Sequence, residues 1–344
     1  MARRLLWASL ALAPITWIVD VVAHPGKVAL FVLSAVSLVP LAWLIGESTE
    51  HAGEHTGPRV GGLLNASFGN APEVIIALIA VADRLPNVVR GSLAGSVVSN
   101  ILLVLGAALV LGEDESRLDR ASLLLQLGLV FLAVLLLLIP SIPGWHGNPD
   151  RHSLAMLSIG PAVALLVVYL VVTVRGLRRR PAHDASDSGG WSLPLSLAVL
   201  GAATVGTAVT SEILVHSLQA FAKAPGLTQF FIAFVIVAIV GNAAEHGGAV
   251  VIARRGKMKL ATEIAVTSSA QVGLLVLPIV ALASFAFAHP VTLAFRPMEL
   301  IAVAVATAVG ALVVRDGTSR RWEGGVLIVV YGGLVAWFLT LGDR

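Results

Sequence analysis

The pentapeptide Gly-Asn-Ala-X-Glu occurs twice in this chain, as Gly69, Asn70, Ala71, Pro72, Glu73 and as Gly241, Asn242, Ala243, Ala244, Glu245, each time inside an apolar run long enough to cross a membrane. A duplicated acid at membrane depth leaves few folds open. An ionised carboxylate at the centre of a spanning helix costs about 2.5–3.5 kcal/mol by insertion scales, so such residues face a polar path and mark where an ion or proton passes. The surrounding sequence is too apolar for a soluble domain: 57% of residues are hydrophobic and only 12% charged, against about 25% charged in soluble proteins. Apolar runs of about 20 residues, the span of a hydrocarbon core, take up nearly all of the 344 residues and leave no room for a separate soluble enzyme domain. Cysteine is absent, which excludes disulfides, thiolate nucleophiles and Cys-based metal sites.

Polar breaks divide the apolar sequence into eleven candidate spans, at 5–22, 27–46, 59–82, 88–111, 119–140, 153–174, 192–221, 228–253, 259–285, 298–314 and 323–341. The expectation is an all-α integral membrane protein with eleven transmembrane helices. With the N-terminus cytoplasmic, 16 of the 23 basic residues fall on the cytoplasmic side, Arg3, Arg4, Arg117, Arg178, Arg254 and Lys257 among them. That bias satisfies the positive-inside rule and puts the C-terminus outside. It also accounts for the formal net charge of +3 without a nucleic-acid partner. A secretory signal could be read into Arg3, Arg4 and the apolar stretch 5–12, but Pro14, Trp17 and the apolar tail to Val22 suit a retained helix better. Residues 176–190, rich in Arg, Asp, Ser and Gly, read as a flexible cytoplasmic linker between two halves.

The halves repeat. A shift of about 171 residues lays one half on the other, with Glu73 matching Glu245 and Ser96 with Asn100 matching Thr267 with Gln271, while Glu47 and His51 match Glu212 and His216 in spacing. The predicted organisation is an extra helix in 1–26, a first half of five helices in 27–175, the linker in 176–191, and a second half of five helices in 192–344. Five is odd, so the second half starts on the opposite side of the membrane from the first. Inverted repeats of this kind place substrate near the midplane, at the interface between them.

Pro72 removes a backbone donor and conflicts with the carbonyl four positions earlier, so a break is expected near Phe68 and Gly69. In the second motif, with Ala244 in place of proline, the break is expected to rest on Gly241. Asn70 and Glu73 are three apart and share a helix face, as do Asn242 and Glu245. Two carboxylates, two amides and loosened carbonyls make an all-oxygen site, which suits calcium better than zinc or copper. With one divalent cation or two protons the Glu73 and Glu245 pair is neutral; empty and ionised, it carries two negative charges. Cation and protons would then compete for the same side chains, which is the chemistry of exchange. Ser96, Asn100, Thr267 and Gln271 could complete the coordination or could bond across packed helices. Glu47, Glu50, His51, Glu54 and His55 form a polar run after the second span, either a mouth that collects cations or protons or a solvated helix end. Glu212 and His216 sit in a more apolar context, and a functional role is expected of them. His246 follows Glu245 and could relay protons, although its side chain points about 100 degrees away.

The runs GESTEH at 46–51, GPRVGGLLNASFGNAPE at 57–73 and GNAAEHGGAVVIARRGKM at 241–258 closely resemble the calcium/proton exchanger family of the calcium/cation antiporter superfamily. The resemblance covers nearly the whole chain. It implies ten core helices plus an N-terminal one, and export of cytosolic calcium driven by inward proton movement through alternating access. It further implies ion binding at Glu73 and Glu245, with Asn70, Asn242, Ser96, Asn100, Thr267 and Gln271 nearby, calcium as cargo and no tightly bound cofactor. A bacterial plasma membrane is the expected location, and a homo-oligomer is compatible with the resemblance. One departure is the linker, which offers only Asp184 and Asp187 among several arginines, so calcium regulation through an acidic linker is not expected. Sodium/calcium exchange on the same fold is the nearest alternative, although the sodium-coupled motifs carry Ser or Thr where this chain has Asn70 and Asn242. A passive channel and an intramembrane metalloenzyme are more remote, the second because no His-Glu-x-x-His motif exists and the histidines are scattered.

Overall fold

The computed structural model describes residues 2–23, 25–179 and 190–341. Most of the predicted linker, including Asp184 and Asp187, lies outside them. The described residues are helical almost throughout: α1 (Arg4–Ala23), α2 (Lys27–Phe68), α3 (Ala71–Ala82), α4 (Pro86–Leu111), α5 (Arg120–Gly144) and α6 (His152–Arg179) make the first half. In the second are α7 (Leu193–Lys223), α8 (Gln229–Gly241), α9 (Ala243–Arg254), α10 (Met258–Ala286), α11 (Pro297–Val314) and α12 (Arg321–Leu341).

Nine helices among the described residues are long and apolar enough to cross a membrane, and α8 with α9 makes a tenth crossing if the pair, bent by 60°, counts as one span. The eleventh expected span, 59–82, is where the observed architecture departs from a simple count. Helix α2 overshoots it and turns at Gly57, whose φ of 80° and ψ of 168° are open to glycine and not to residues with a Cβ. Residues 58–68 and the 12-residue α3 then fill the third place as two short pieces.

Both motif helices break at the same residue. Asn70 has φ −95° and ψ 10°, and Asn242 has φ −98° and ψ 9°. Gly69 remains helical, at φ −56° and ψ −37°. The expectation that the second break rests on Gly241 is therefore corrected. The asparagine leaves the helix in each half, with Pro72 two residues on in the first and Ala244 in the second, while Gly241 stays helical.

Around these broken pairs, α4 is buried along most of its length and α10 along much of it. Helix α4 crosses α8 with backbone in contact: a Cβ built on Gly91 would meet the Phe230 carbonyl at 2.9 Å, and one on Gly95 would run into the carbonyl of Phe234. Each of α4 and α10 contains a π-helical turn, at Ser99–Val104 and Val272–Val276. Such turns insert one residue into the helical register and gather at functional sites. Helix α1 lies on the outside, tied to α7 by a hydrogen bond from Trp17 Nε1 to Thr210 Oγ1 at 3.0 Å. At the start of α5, Asp119 accepts from the Ser122 amide at 3.1 Å and pairs with Lys259 Nζ at 3.0 Å, joining the start of α5 to the start of α10.

Candidate ion-binding site

Glu73 and Glu245 are each the third residue of a helix that begins immediately after the broken asparagine. The first turn of a helix presents unpaired amides and the positive end of its dipole, so both carboxylates stand where negative charge is most favoured. The two motifs also interlock. A Cβ on Gly69 would meet Glu245 Oε1 at 3.4 Å, and one on Gly241 would meet Glu73 Cγ at 3.5 Å. Each acid thus lies over the glycine of the other motif, within van der Waals reach of where a Cβ would stand. Both carboxylates keep one oxygen, Oε2, buried with no hydrogen-bonding partner among the described residues. Two buried acceptors held without donors are ready for a cation or a proton.

The amide residues predicted from sequence come together around the acids. Asn70 Nδ2 donates to Gln271 Oε1 at 3.1 Å, from the first motif to the second half. Asn100 Nδ2 donates to Asn242 Oδ1 at 3.4 Å, from the first half to the second motif. Asn242 Nδ2 donates to Ser96 Oγ at 2.8 Å and to the carbonyl of Ala238 at 2.9 Å. The repeat is therefore visible as a pair of crossed amide contacts, one per motif. His246 belongs to the same cluster, with Nε2 at 2.9 Å from Asn100 Oδ1.

Ser268, which the sequence comparison passed over, is also in the cluster: Asn100 Nδ2 donates to its Oγ at 3.0 Å. Among the described residues, the Thr267 side chain makes no hydrogen bond. A signal for Ser268 was present, because the motifs themselves are offset by 172 residues, and 172 carries Ser96 to Ser268. Only Asn100 to Gln271 needs 171. The π turn of α4 begins at Ser99, before Asn100, whereas that of α10 begins at Val272, after Gln271. The additional residue in α4 makes a spacing of four there equivalent to a spacing of three in α10.

The polar run at the end of α2 and its counterpart on α7 occupy separate places. Glu47 and Glu50 line a cavity of about 580 Å³ together with Trp43, Asn65, Gly69 and Glu245, so this cavity reaches one of the two buried acids. At its edge His51 is 3.6 Å from Glu47 Oε1 and 3.2 Å from Glu54 Oε2, with the Trp191 ring 4.8 Å away. Glu212 and His216 line a different cavity of about 400 Å³, with Trp17, Asp20 and Lys27. His216 Nε2 lies 3.1 Å from Asp83 Oδ2, and its side chain is 52% exposed. The apolar sequence around these two residues suggested burial; they instead occupy the outward face of α7, because its apolar neighbours pack inward on α2.

Residues 26–176 and 195–340 match the family described as sodium/calcium exchanger protein. The chain belongs to that family. Among curated relatives, it is 33% identical to the Ca(2+)/H(+) antiporter of Aphanothece halophytica over 90% of this chain and 89% of that one. To the Ca(2+)/H(+) antiporter ChaA of Bacillus subtilis it is 35% identical, over 92% and 94%. The solved structure of native YfkE superposes with a TM-score of 0.84 at 32% identity, covering 98% of this chain and all of that one.

Proposed function

We propose that this family member is a calcium/proton antiporter in which Glu73 and Glu245 bind one calcium ion or protons in turn. The observation that carries the reading is the pair of buried carboxylates, each at a helix N-terminus, each with an oxygen lacking a donor, one on each inverted motif. The relatives named above are Ca(2+)/H(+) antiporters, and the donor set around the acids consists of oxygens and amides, which suits a hard cation. Charge couples the two fluxes. A calcium ion or two protons neutralises the pair, and a neutral site crosses the low-dielectric interior at far lower cost than one holding two bare carboxylates. Rearrangement then occurs only when the site is loaded, as exchange requires.

With the N-terminus in the cytoplasm, the cavity lined by Glu47, Glu50 and Glu245 opens to the cytoplasm and receives calcium for export. The eleventh crossing is the broken unit of 58–68 and α3, the inverted counterpart of α8 and α9. The relatives in Aphanothece and Bacillus support a bacterial plasma membrane as the location.

Reconstitution tests this directly. Purified protein in liposomes under an imposed proton gradient should take up calcium with sodium absent, and lose that uptake when an ionophore collapses the gradient. Uptake that needs a sodium gradient would move the chain to sodium/calcium exchange. Glu73→Gln and Glu245→Gln keep size and polarity but cannot cycle a charge; each should lower coupled exchange to background while inserting normally. Near-normal exchange by either variant overturns the mechanism.

A further inference from the structure

We infer that His246 is a positioning residue: its Nε2–H donates to Asn100 Oδ1 and holds the Asn100 carboxamide in the one orientation that matches Asn242 across the second half-site. The inference rests on the reading of these residues as the ion site, and the argument begins at a backbone atom whose role admits no choice.

The carbonyl oxygen of Ala238 can only accept, and the atom bonded to it at 2.9 Å is Asn242 Nδ2. Asn242 is thereby fixed with its amino group toward its own helix and its Oδ1 toward Asn100. That Oδ1 needs a donor, which is Asn100 Nδ2. The same amino group also donates to Ser268 Oγ. Asn100 Oδ1 is consequently turned to His246 Nε2 at 2.9 Å. An oxygen acceptor there requires hydrogen on Nε2, so a neutral His246 carries its proton on Nε2 and leaves Nδ1 bare. The orientation of a buried amide and the tautomer of an imidazole, normally assigned by optimising a network, follow here from one carbonyl.

Among the described residues, the first half-site has no matching histidine donor. The residue after Glu73 is Val74, which cannot donate, and there the motif asparagine is the donor, Asn70 Nδ2 to Gln271 Oε1. In the second half-site the motif asparagine is the acceptor. One substitution between the repeats, valine against histidine, accompanies opposite polarity of the two crossed amide contacts. The two halves of the site are therefore chemically unequal although their backbones match. His246 acts in this scheme as a fixed donor and does not carry the transported proton.

The test compares His246→Leu, which removes the donor, with His246→Gln, whose amide can still donate to Asn100 Oδ1, in the proteoliposome assay with calcium and a proton gradient. The apparent calcium KM of His246→Leu should rise by about tenfold or more, with maximal rate changed much less and the shape of the pH profile kept. His246→Gln should restore KM to within about threefold of the parent. Monodisperse protein of normal yield excludes misfolding for each variant. Glu245→Gln, run alongside, separates the two readings: near-normal exchange there sinks the ion site itself. A His246→Gln variant as impaired as His246→Leu, with one limb of the pH profile lost, would show that the imidazole carries protons and overturn the positioning role.

Discussion

At the scale of single residues, the second half-site matches its buried amides and hydroxyls with one another, while each of the two acids keeps an oxygen unmatched. Asn100, Asn242, Ser96 and Ser268 are almost fully buried and satisfy one another, while Glu73 and Glu245 each retain an oxygen without a donor. Leaving a buried acceptor unpaired costs about 1–3 kcal/mol, so the empty site is held at a disadvantage that a proton or cation removes. The contrast between two neighbouring hydroxyls follows from it. Ser268→Ala removes an acceptor from Asn100 and should weaken apparent calcium affinity by about five- to tenfold, the equivalent of about 1 kcal/mol. Thr267→Val should stay within about twofold, read in the same transport assay as a change in KM. Of the amide and hydroxyl residues singled out in the sequence, Asn70, Asn242, Ser96, Asn100 and Gln271 are joined by hydrogen bonds; Ser268 was passed over, because three consecutive hydroxyl residues, Thr267, Ser268 and Ser269, left the register open and a repeat shift of 171 chose the first.

Among the elements, broken and bulged helices carry what regular ones could not. Pro72 made the first break legible, but the second had no comparable mark; it falls in the repeated Gly-Asn-Ala, and the asparagine backbone angles differ by only a few degrees between halves. No residue pattern in the sequence announced the π turns in α4 and α10. Packing where α4 crosses α8 is close. Gly95→Ala would push a Cβ into the Phe234 carbonyl, a rigid backbone neighbour, and should destabilise the protein by about 1–3 kcal/mol. Gly128→Ala, with nothing within 4 Å of its Cβ, should leave the melting temperature in detergent unchanged. Outside the membrane-spanning segments, the Lys259 ammonium, followed by the Ser122 amide, holds the Asp119 carboxyl below the usual carboxylate range. A lowered folded value stabilises the fold above the unfolded value and loses that contribution as pH falls through the folded one. Asp119→Asn should therefore melt slightly below the parent at neutral pH, with the gap closing only in acid, below the ordinary carboxylate pKa.

For the molecule as a whole, the sequence leads to the expectation of an inverted repeat, because counting apolar runs gives an odd number of spans per half. Its consequence for the cavities was not legible, since Glu47 and Glu212 look alike in sequence yet line separate spaces. One space reaches Glu245 and the other is flanked by Asp20, Lys27 and the pair of His216 with Asp83. If the halves are inverted, equivalent residues on α2 and α7 face opposite sides of the membrane, and the absence of any native cysteine makes this measurable with single introduced thiols. Glu50→Cys, exposed beside the larger cavity, should react with a membrane-impermeant thiol reagent applied from the cytoplasmic side only. His216→Cys should react from the opposite side only. Reaction of both from one side would rule out the inversion on which the transport cycle depends. Under the proposed mechanism, in which only a neutralised site rearranges, saturating calcium should also change the labelling rate at Glu50→Cys, and the change should vanish when Glu73→Gln is added, since that variant would not complete the charge balance that releases the two halves.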